Sequence, residues 1–373
     1  MKILITGGLG FIGSRLATSL LHRGHDVVLV DSLSPQIHGE VPETRVPESA
    51  TVVRLDVREL AQRHDLLEGS DVVFHLAAET GTAQSMYQIA HYVSVNELGT
   101  AALLEAIAKC TRRPRQVVLA SSRSIYGEGA YRAAGGDGHI VQPSPRTRQQ
   151  LASHHWEHTT PQGDRLEAVP TPESLLPAPG SVYAATKASQ EMLIASASEA
   201  LGIKSQILRF QNVYGEGQSL QNPYTGIISI FFNRARQGLE IPVYEDGLES
   251  RDFVHVDDVV RALDRVLAVD LPSGTVINVG SGLATTVLTL SRTLLKVAGL
   301  DVPVRVTGQY RLGDIRHGFA DITRLNTLLG LEPEISLEEG LRRFSAWASK
   351  QPAHVDRLDA ATQELQKKGL SNT

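Results

Sequence analysis

A chain of 373 residues, 42% hydrophobic and 21% charged, has the composition of a globular protein with one large domain or two closely packed ones, which excludes a disordered or fibrous chain. Its 36 basic against 41 acidic side chains leave a formal net charge of −5, so no general positive field is offered to nucleic acid or to an anionic membrane. The lone cysteine, Cys110, excludes a disulfide framework and a thiolate metal site; this fits a reducing, cytoplasmic setting.

The chain opens on an apolar run at residues 2–6, cut by glycines well short of a signal-peptide core or a membrane span. Further short β-branched runs at 26–31, 51–55, 71–76 and 116–121 alternate with helical patterns. Strand, helix and strand repeated in this way predict right-handed crossovers and a parallel sheet covered on both faces. Directly after the first strand, Gly7, Gly10 and Gly13 serve a tight turn, close approach of backbone N–H groups to a pyrophosphate, and close helix–strand packing. Asp31 closes the second strand, where a carboxylate accepts from both ribose hydroxyls and repels a 2′-phosphate; this favours NAD over NADP. Asp56, after the third strand, is an adenine acceptor or a helix cap. His75-Leu76-Ala77-Ala78 ends the fourth strand with small residues against which a cofactor can lie.

At the end of the fifth strand stands Ser121-Ser122-Arg123-Ser124-Ile125-Tyr126-Gly127, and a hydroxyl there points into the crevice where such sheets bind ligands. Farther on comes Tyr183-Ala184-Ala185-Thr186-Lys187. A phenol and an ammonium four apart share a helix face, and the lysine's charge pulls the phenol's pKa down from about 10. Ser122, Tyr183 and Lys187 thus form a proton-transfer unit: serine holds the substrate oxygen, tyrosine moves the proton, and lysine holds the ribose and biases the phenol. A proton shuttle beside a dinucleotide seat implies hydride transfer at a carbinol carbon.

Between the two motifs, residues 132–179 lack periodicity and read as an insertion serving as a lid or a wall. Residues 204–210 predict a sixth strand. Beyond residue 211, short strands at 243–244, 275–279 and 304–307 mix with helices at 226–237, 256–269, 288–298 and 337–348. The expected organisation is a doubly wound α/β domain over 1–210 carrying the insertion, a smaller C-terminal α/β substrate lobe over 211–350, and a peripheral helix with a frayed tail over 351–373. His154, His155 and His158 lie in a polar loop, and no metal is expected.

The motifs Thr6 to Gly13, His75 to Ala78, Asn96-Glu97-Leu98-Gly99-Thr100, Ser121-Ser122, Tyr183 to Lys187, Arg209 to Gly215 and Arg251 to Asp258 follow one order. In that order the chain resembles an extended short-chain dehydrogenase/reductase of the NAD-dependent nucleotide-sugar epimerase/dehydratase group, a Rossmann-type fold. The resemblance implies that Phe11, Ile12, Val57, Leu76, Ala77, Ala78 and Asn96 join the cofactor site. It further implies that Arg251 and Arg311 clasp a nucleoside diphosphate-sugar, that Ser124 and Asn212 assist, that Asp314 meets the nucleoside ribose, and that helices 96–109 and 183–201 pair across a two-fold into a homodimer.

Within the group, residues 77–87, Asn222-Pro223-Tyr224-Thr225-Gly226 and the insertion are most similar to dTDP-L-rhamnose 4-epimerase-type proteins, which make dTDP-6-deoxy-L-talose. Relatives of that type carry cysteine pairs in the insertion that suggest a zinc knuckle; this chain has none. Dehydratases of the group place an Asp-Glu pair after the fifth strand, where this chain has Arg123 and Ser124. The expected reaction is NAD-dependent 4-epimerisation through a 4-keto sugar. The alternatives are a 4-ketoreductase or dehydrogenase, a 4,6-dehydratase, or a non-catalytic NAD-binding regulator.

Overall fold

The computed structural model describes residues 1–38, 46–135, 138–220, 222, 226–352, 356 and 358–372; of the stretch 222–226, residues 223–225 lie outside them. Its centre is a seven-stranded sheet, parallel throughout. Five strands are β1 (Lys2–Thr6), β2 (Asp26–Asp31), β3 (Thr51–Arg54), β4 (Val72–His75) and β5 (Gln116–Ser122). Together with Lys204–Phe210 and Thr275–Val279 they run in the order Thr275–Val279, Lys204–Phe210, β5, β4, β1, β2, β3.

Continuous apolar runs suit this sheet because both faces are covered. Ile3 and Ile5 of β1, Val72 and Phe74 of β4 and Val118 of β5 pack with Leu16 and Leu20 of α1 (Phe11–His22) and with Val259 and Leu263 of the helix Val256–Ala268. The alternate residues, Leu4, Val73, Val117 and Leu119, pack on the other face with Leu103 and Ile107 of the helix Gly99–Lys109 and Ile194 of the helix Val182–Leu201. Period-two alternation thus divides one hydrophobic run between two cores.

Three expectations change. The strand 275–279, read as part of the smaller lobe, pairs with Lys204–Phe210 from Thr275↔Gln206 to Val279↔Phe210 and buries Ile277 and Val279 in the α1-side core. After its first excursion the chain returns to the large sheet, so the span 211–350 is not one continuous lobe. The excursions build a separate core in which Phe231, Phe232, Leu290, Leu294, Leu341 and Phe344 pack together.

Second, the C-terminal segment is tied down. The helix Leu358–Lys367 buries Leu358, Ala361 and Leu365, and the residues beyond it brace the loop that carries Arg311. Leu312 N–H donates to the Leu370 carbonyl at 2.9 Å, and Tyr310 N–H to Asn372 Oδ1 at 2.7 Å. Lys368 Nζ stands 4.5 Å from the centre of the Tyr87 ring. A polar composition concealed three apolar anchors at helical spacing.

Third, the insertion is clamped from outside. Its strand pair Tyr131–Ala133 with Leu166–Ala168 is antiparallel, and Thr147 and Gln150 form a capping box on the short helix Arg148–Ala152. Arg316, fully buried, reaches Glu157 of the insertion at 2.6 Å, Asp246 at 2.7 and 2.8 Å and Glu245 at 3.0 Å. Arg146 donates to Glu245 at 2.8 Å and to the Asp314 carbonyl at 2.9 Å. Glu245, Asp246 and Glu249 bring ligand-type oxygens within 4.8 Å of one another, but arginines fill the space between the first two. Paired guanidinium and carboxylate groups thus fasten this insertion to the segments around Glu245 and Asp314. Two of the three histidines take separate side-chain partners: His154 stacks on Trp156 at 4.9 Å and His158 meets Glu128 at 3.0 Å.

Candidate active site

The glycine turn leaves β1 with Gly7 at φ +66°, and a Cβ there would stand 2.8 Å from Ala77 N. A side chain at Gly13 would collide with the Gly7 carbonyl oxygen. Gly10 caps α1 without a side-chain bond to its first turn, so the N–H groups that open the helix, from Phe11 and Ile12 on, are left for an anion. These features fit the pyrophosphate of a dinucleotide.

Asp31 is 8% exposed. Its Oδ2 accepts from Leu9 N–H at 3.0 Å, and its Oδ1 from Leu33 N–H at 2.9 Å and from His38 Nε2 at 3.3 Å. Burial pushes the carboxyl up, but His38 and the two amides outweigh it and hold the group below its ordinary range. A carboxylate offers roughly four acceptor positions, so these three donors orient Asp31 and leave it a position for a further donor.

Two expected cofactor residues also hold local structure together. Asp56 caps the 3-10 turn Val57–Gln62 through Arg58 N–H at 3.0 Å, and both its oxygens take the Arg58 guanidinium at 2.9 and 2.7 Å. A cation two residues away wins the carboxylate locally, so the helix-cap reading describes it. Asn96 is fully buried. It joins Glu79 N–H at 2.8 Å and the Glu79 carbonyl at 3.2 Å to Thr186 Oγ1 at 2.9 Å, and so fixes the catalytic helix to the loop after β4.

His75 performs a similar task unseen in the sequence. It bonds Thr6 Oγ1 at 2.7 Å and Thr100 Oγ1 at 2.9 Å, and Gln190 reaches Thr100 at 2.7 Å. Burial, reinforced by the Lys187 charge, drives the imidazole down to about 3, so it is neutral.

Ser181 caps the helix Val182–Leu201, and Tyr183 N–H donates to Ser85 Oγ at 3.0 Å. The Tyr183 phenol hydrogen-bonds Ser122, whose hydroxyl also accepts from Ser124 N–H at 3.2 Å. Ser124 Oγ is buried with no partner among the described residues. Behind this edge, Ser121 bonds Glu191, which holds Arg209 at 3.0 and 2.7 Å; Arg209 in turn donates to Tyr126 OH at 2.8 Å.

The charges around the phenol differ from expectation. Burial raises the Tyr183 pKa, opposed by the Ser122 hydrogen bond and the Arg123 charge. Lys187 shares the helix face, but its long stem carries the ammonium to the Ala120 carbonyl at 2.9 Å. Burial lowers that ammonium to about 8, against the pull of Glu191.

On the substrate side, Asn212 Oδ1 accepts from Arg123 Nε at 3.0 Å. Arg251 donates to the carbonyls of Ser250, Arg316 and Ile315 at 2.8, 3.1 and 2.8 Å. Arg311 lies over the Tyr244 ring at 4.6 Å, and its Nε is buried without a partner among the described residues. Burial and Arg251 bring Arg123 down to about 10, while Asp314 and Tyr183 oppose them. Arg251, Asp314 and Tyr183 thus act electrostatically on Arg123, and Asp314 acts on Arg311 as well. Arg123, His38 and Ser85 are site residues the sequence reading did not assign; the position of Arg123 next to Ser122 was the available signal.

The profile of the NAD dependent epimerase/dehydratase family matches residues 3–280. A dTDP-L-rhamnose 4-epimerase of Burkholderia thailandensis is 39% identical over 94% of this chain and 95% of its own length. A probable UDP-glucuronate 4-epimerase of Rhizobium meliloti is 28% identical, covering 93% and 96%. Among solved structures, the UDP-glucose 4-epimerase of Thermotoga maritima with UDP-glucose superposes with a TM-score of 0.76 at 30% identity, over 94% of this chain and 99% of that one. The UDP-glucuronic acid 4-epimerase of Bacillus cereus, in complex with UDP-glucuronic acid and NAD, gives 0.75 at 26% identity, with the same coverage. With its glycine cradle, its Ser–Tyr–Lys edge and its seven-stranded parallel sheet, the chain belongs to the NAD dependent epimerase/dehydratase family.

Proposed function

We propose that this protein is a nucleotide-sugar 4-epimerase that interconverts dTDP-L-rhamnose and dTDP-6-deoxy-L-talose. The observation that carries this reading is the hydrogen-bonded Ser122–Tyr183 pair at the open end of β5, with Arg123 and Ser124 following it. Bound NAD supplies a hydride acceptor and donor at sugar C4. Ser122 holds the 4-oxygen, and Tyr183 removes its proton and later gives it back. Lys187, close to the same edge, takes the nicotinamide ribose. Gly7, Gly10 and Gly13 seat the pyrophosphate and Asp31 the adenosine ribose. Arg251 and Arg311 grip the substrate diphosphate with Asn212 beside them, and Asp314 meets the nucleoside ribose. A firm hold on the nucleotide with few contacts to the sugar allows the 4-keto sugar to turn over and present its other face.

Dehydration at C5–C6 needs an acid–base pair, and arginine with serine does not supply one near neutral pH. We further place the enzyme in the cytoplasm as a homodimer. Leu98 is 55% exposed and Met192 65% exposed, on the two helices expected to meet across a two-fold, and such outward apolar residues favour a partner. No helix among the described residues is long and apolar enough to cross a membrane. Incubation with dTDP-L-rhamnose tests the reading: its C4 epimer should appear without net NADH. Accumulated NADH or a released 4-keto sugar would point to a one-way oxidoreductase instead.

A further inference from the structure

We propose that Ser371, in the segment after the helix Leu358–Lys367, is a further binding residue for the diphosphate of the substrate, set so that its hydroxyl and Arg311 hold one anionic oxygen between them. The inference deepens the nucleotide-sugar reading and rests on it for the role of Arg311.

The segment pairs with the loop that carries Arg311. Leu312 N–H donates to the Leu370 carbonyl at 2.9 Å and Asn372 N–H to the Tyr310 carbonyl at 3.4 Å, which leaves Arg311 and Ser371 directly opposed in an antiparallel bridge. Hydrogen bonds flank this pair without joining it. Such pairs bring their Cα atoms to about 4.5 Å and set both side chains on one face. Further ties hold the register: Tyr310 N–H donates to Asn372 Oδ1 at 2.7 Å, Gln366 Nε2 to the Asn372 carbonyl at 3.1 Å, and Arg148 Nη2 of the insertion to the Gly369 carbonyl at 3.0 Å.

Arg311 Nε and Ser371 Oγ are both buried, and neither has a hydrogen-bond partner among the described residues. They do not satisfy one another. The guanidinium is held from its far end: Nη2 donates to Tyr244 OH at 3.3 Å, the guanidinium carbon stands 4.6 Å from the centre of the Tyr244 ring, and Tyr244 OH meets Thr362 Oγ1 at 3.2 Å. A buried donor without an acceptor is costly, and an N–H and an O–H on one face of the same pair call for a single acceptor from outside the chain. A phosphate oxygen meets that need, accepting a charge-assisted bond from Arg311 and a second from the Ser371 hydroxyl.

The test is calorimetric titration of the NAD-loaded full chain with dTDP and with UDP, in the native protein, Ser371→Ala, Ser371→Thr, Arg311→Gln and the Arg311→Gln/Ser371→Ala double variant. Ser371→Ala should weaken the nucleotide by about ten-fold, with NAD affinity and melting temperature unchanged. Ser371→Thr, which keeps the hydroxyl, should bind as the native chain does. In the Arg311→Gln background the alanine substitution should cost less than it does alone, since the shared oxygen is no longer held from both sides. Unchanged nucleotide affinity in Ser371→Ala, equal losses in the alanine and threonine variants, or strictly additive losses would overturn the proposal and leave the segment a brace for the loop. Binding of UDP but not dTDP, with the same loss in Ser371→Ala, would sustain the role of Ser371 while refuting the dTDP-sugar reading; a native chain that binds neither would overturn both.

Discussion

At Tyr183 three influences compete: burial against the phenolate, the Ser122 hydrogen bond for it, and a guanidinium charge for it. Replacing Tyr183 with Phe removes only the proton transfer, so turnover should fall by about 10² to 10⁴ while NAD and nucleotide-sugar titrations stay nearly unchanged. Near-normal turnover would end the assignment. Asp31→Ser should weaken NAD binding and relax discrimination against NADP, read by comparative titration of the two cofactors. It should also destabilise the chain by about 1–3 kcal/mol, because Leu9, Leu33 and His38 lose a buried acceptor. His75 gives a pH signature. Its folded pKa of about 3 lies below the ordinary 6.5, so the unfolded chain binds a proton that the folded chain refuses. The stability it contributes is full above about pH 6.5 and declines as pH falls toward 3, at up to about 1.4 kcal/mol per pH unit. Comparing denaturation of His75→Asn with the native chain across that window should show a shallower acid slope in the variant.

At the scale of elements, the wall and the strap of the substrate cleft are the parts least visible in sequence. The glycine turn and the Tyr183–Lys187 spacing are local patterns, legible because a turn or one helical face decides them. The competitor for Asp56 was equally local, a neighbouring arginine whose hold on the carboxylate only geometry shows. The pairing of Asn96 with Thr186, the membership of Thr275–Val279 in the large sheet, and the return of residues 368–372 to the Arg311 loop join distant segments. Neither periodicity nor composition encodes such partners. Deleting residues 368–373 tests the strap: the KM for nucleotide-sugar should rise about ten-fold, the equivalent of about 1.4 kcal/mol, with NAD affinity intact. Equal losses of both affinities would mean general unfolding instead. Arg316→Met leaves Glu157, Glu245 and Asp246 facing one another without their shared cation, and should cost about 3–5 kcal/mol in denaturant unfolding.

For the whole molecule, one sheet brings four elements of the site to the same edge: the glycine turn from β1, Asp31 from β2, the small residues after β4 and Ser122 from β5. Helices fixed by buried polar ties bring Tyr183 and Lys187 to meet them. The C-terminal segment then braces the loop that carries Arg311. Such a site oxidises and reduces at one carbon, and its edge after β5 lacks the acid–base pair that would carry the sugar on to dehydration. The most direct measurement is the fate of hydrogen during turnover in deuterated water. With dTDP-L-rhamnose, nuclear magnetic resonance should show the C4 epimer accumulating to a ratio near unity, with no deuterium at C4 or C5. Deuterium at C5, or a free 4-keto-6-deoxy sugar as the product, would contradict 4-epimerisation by a retained hydride.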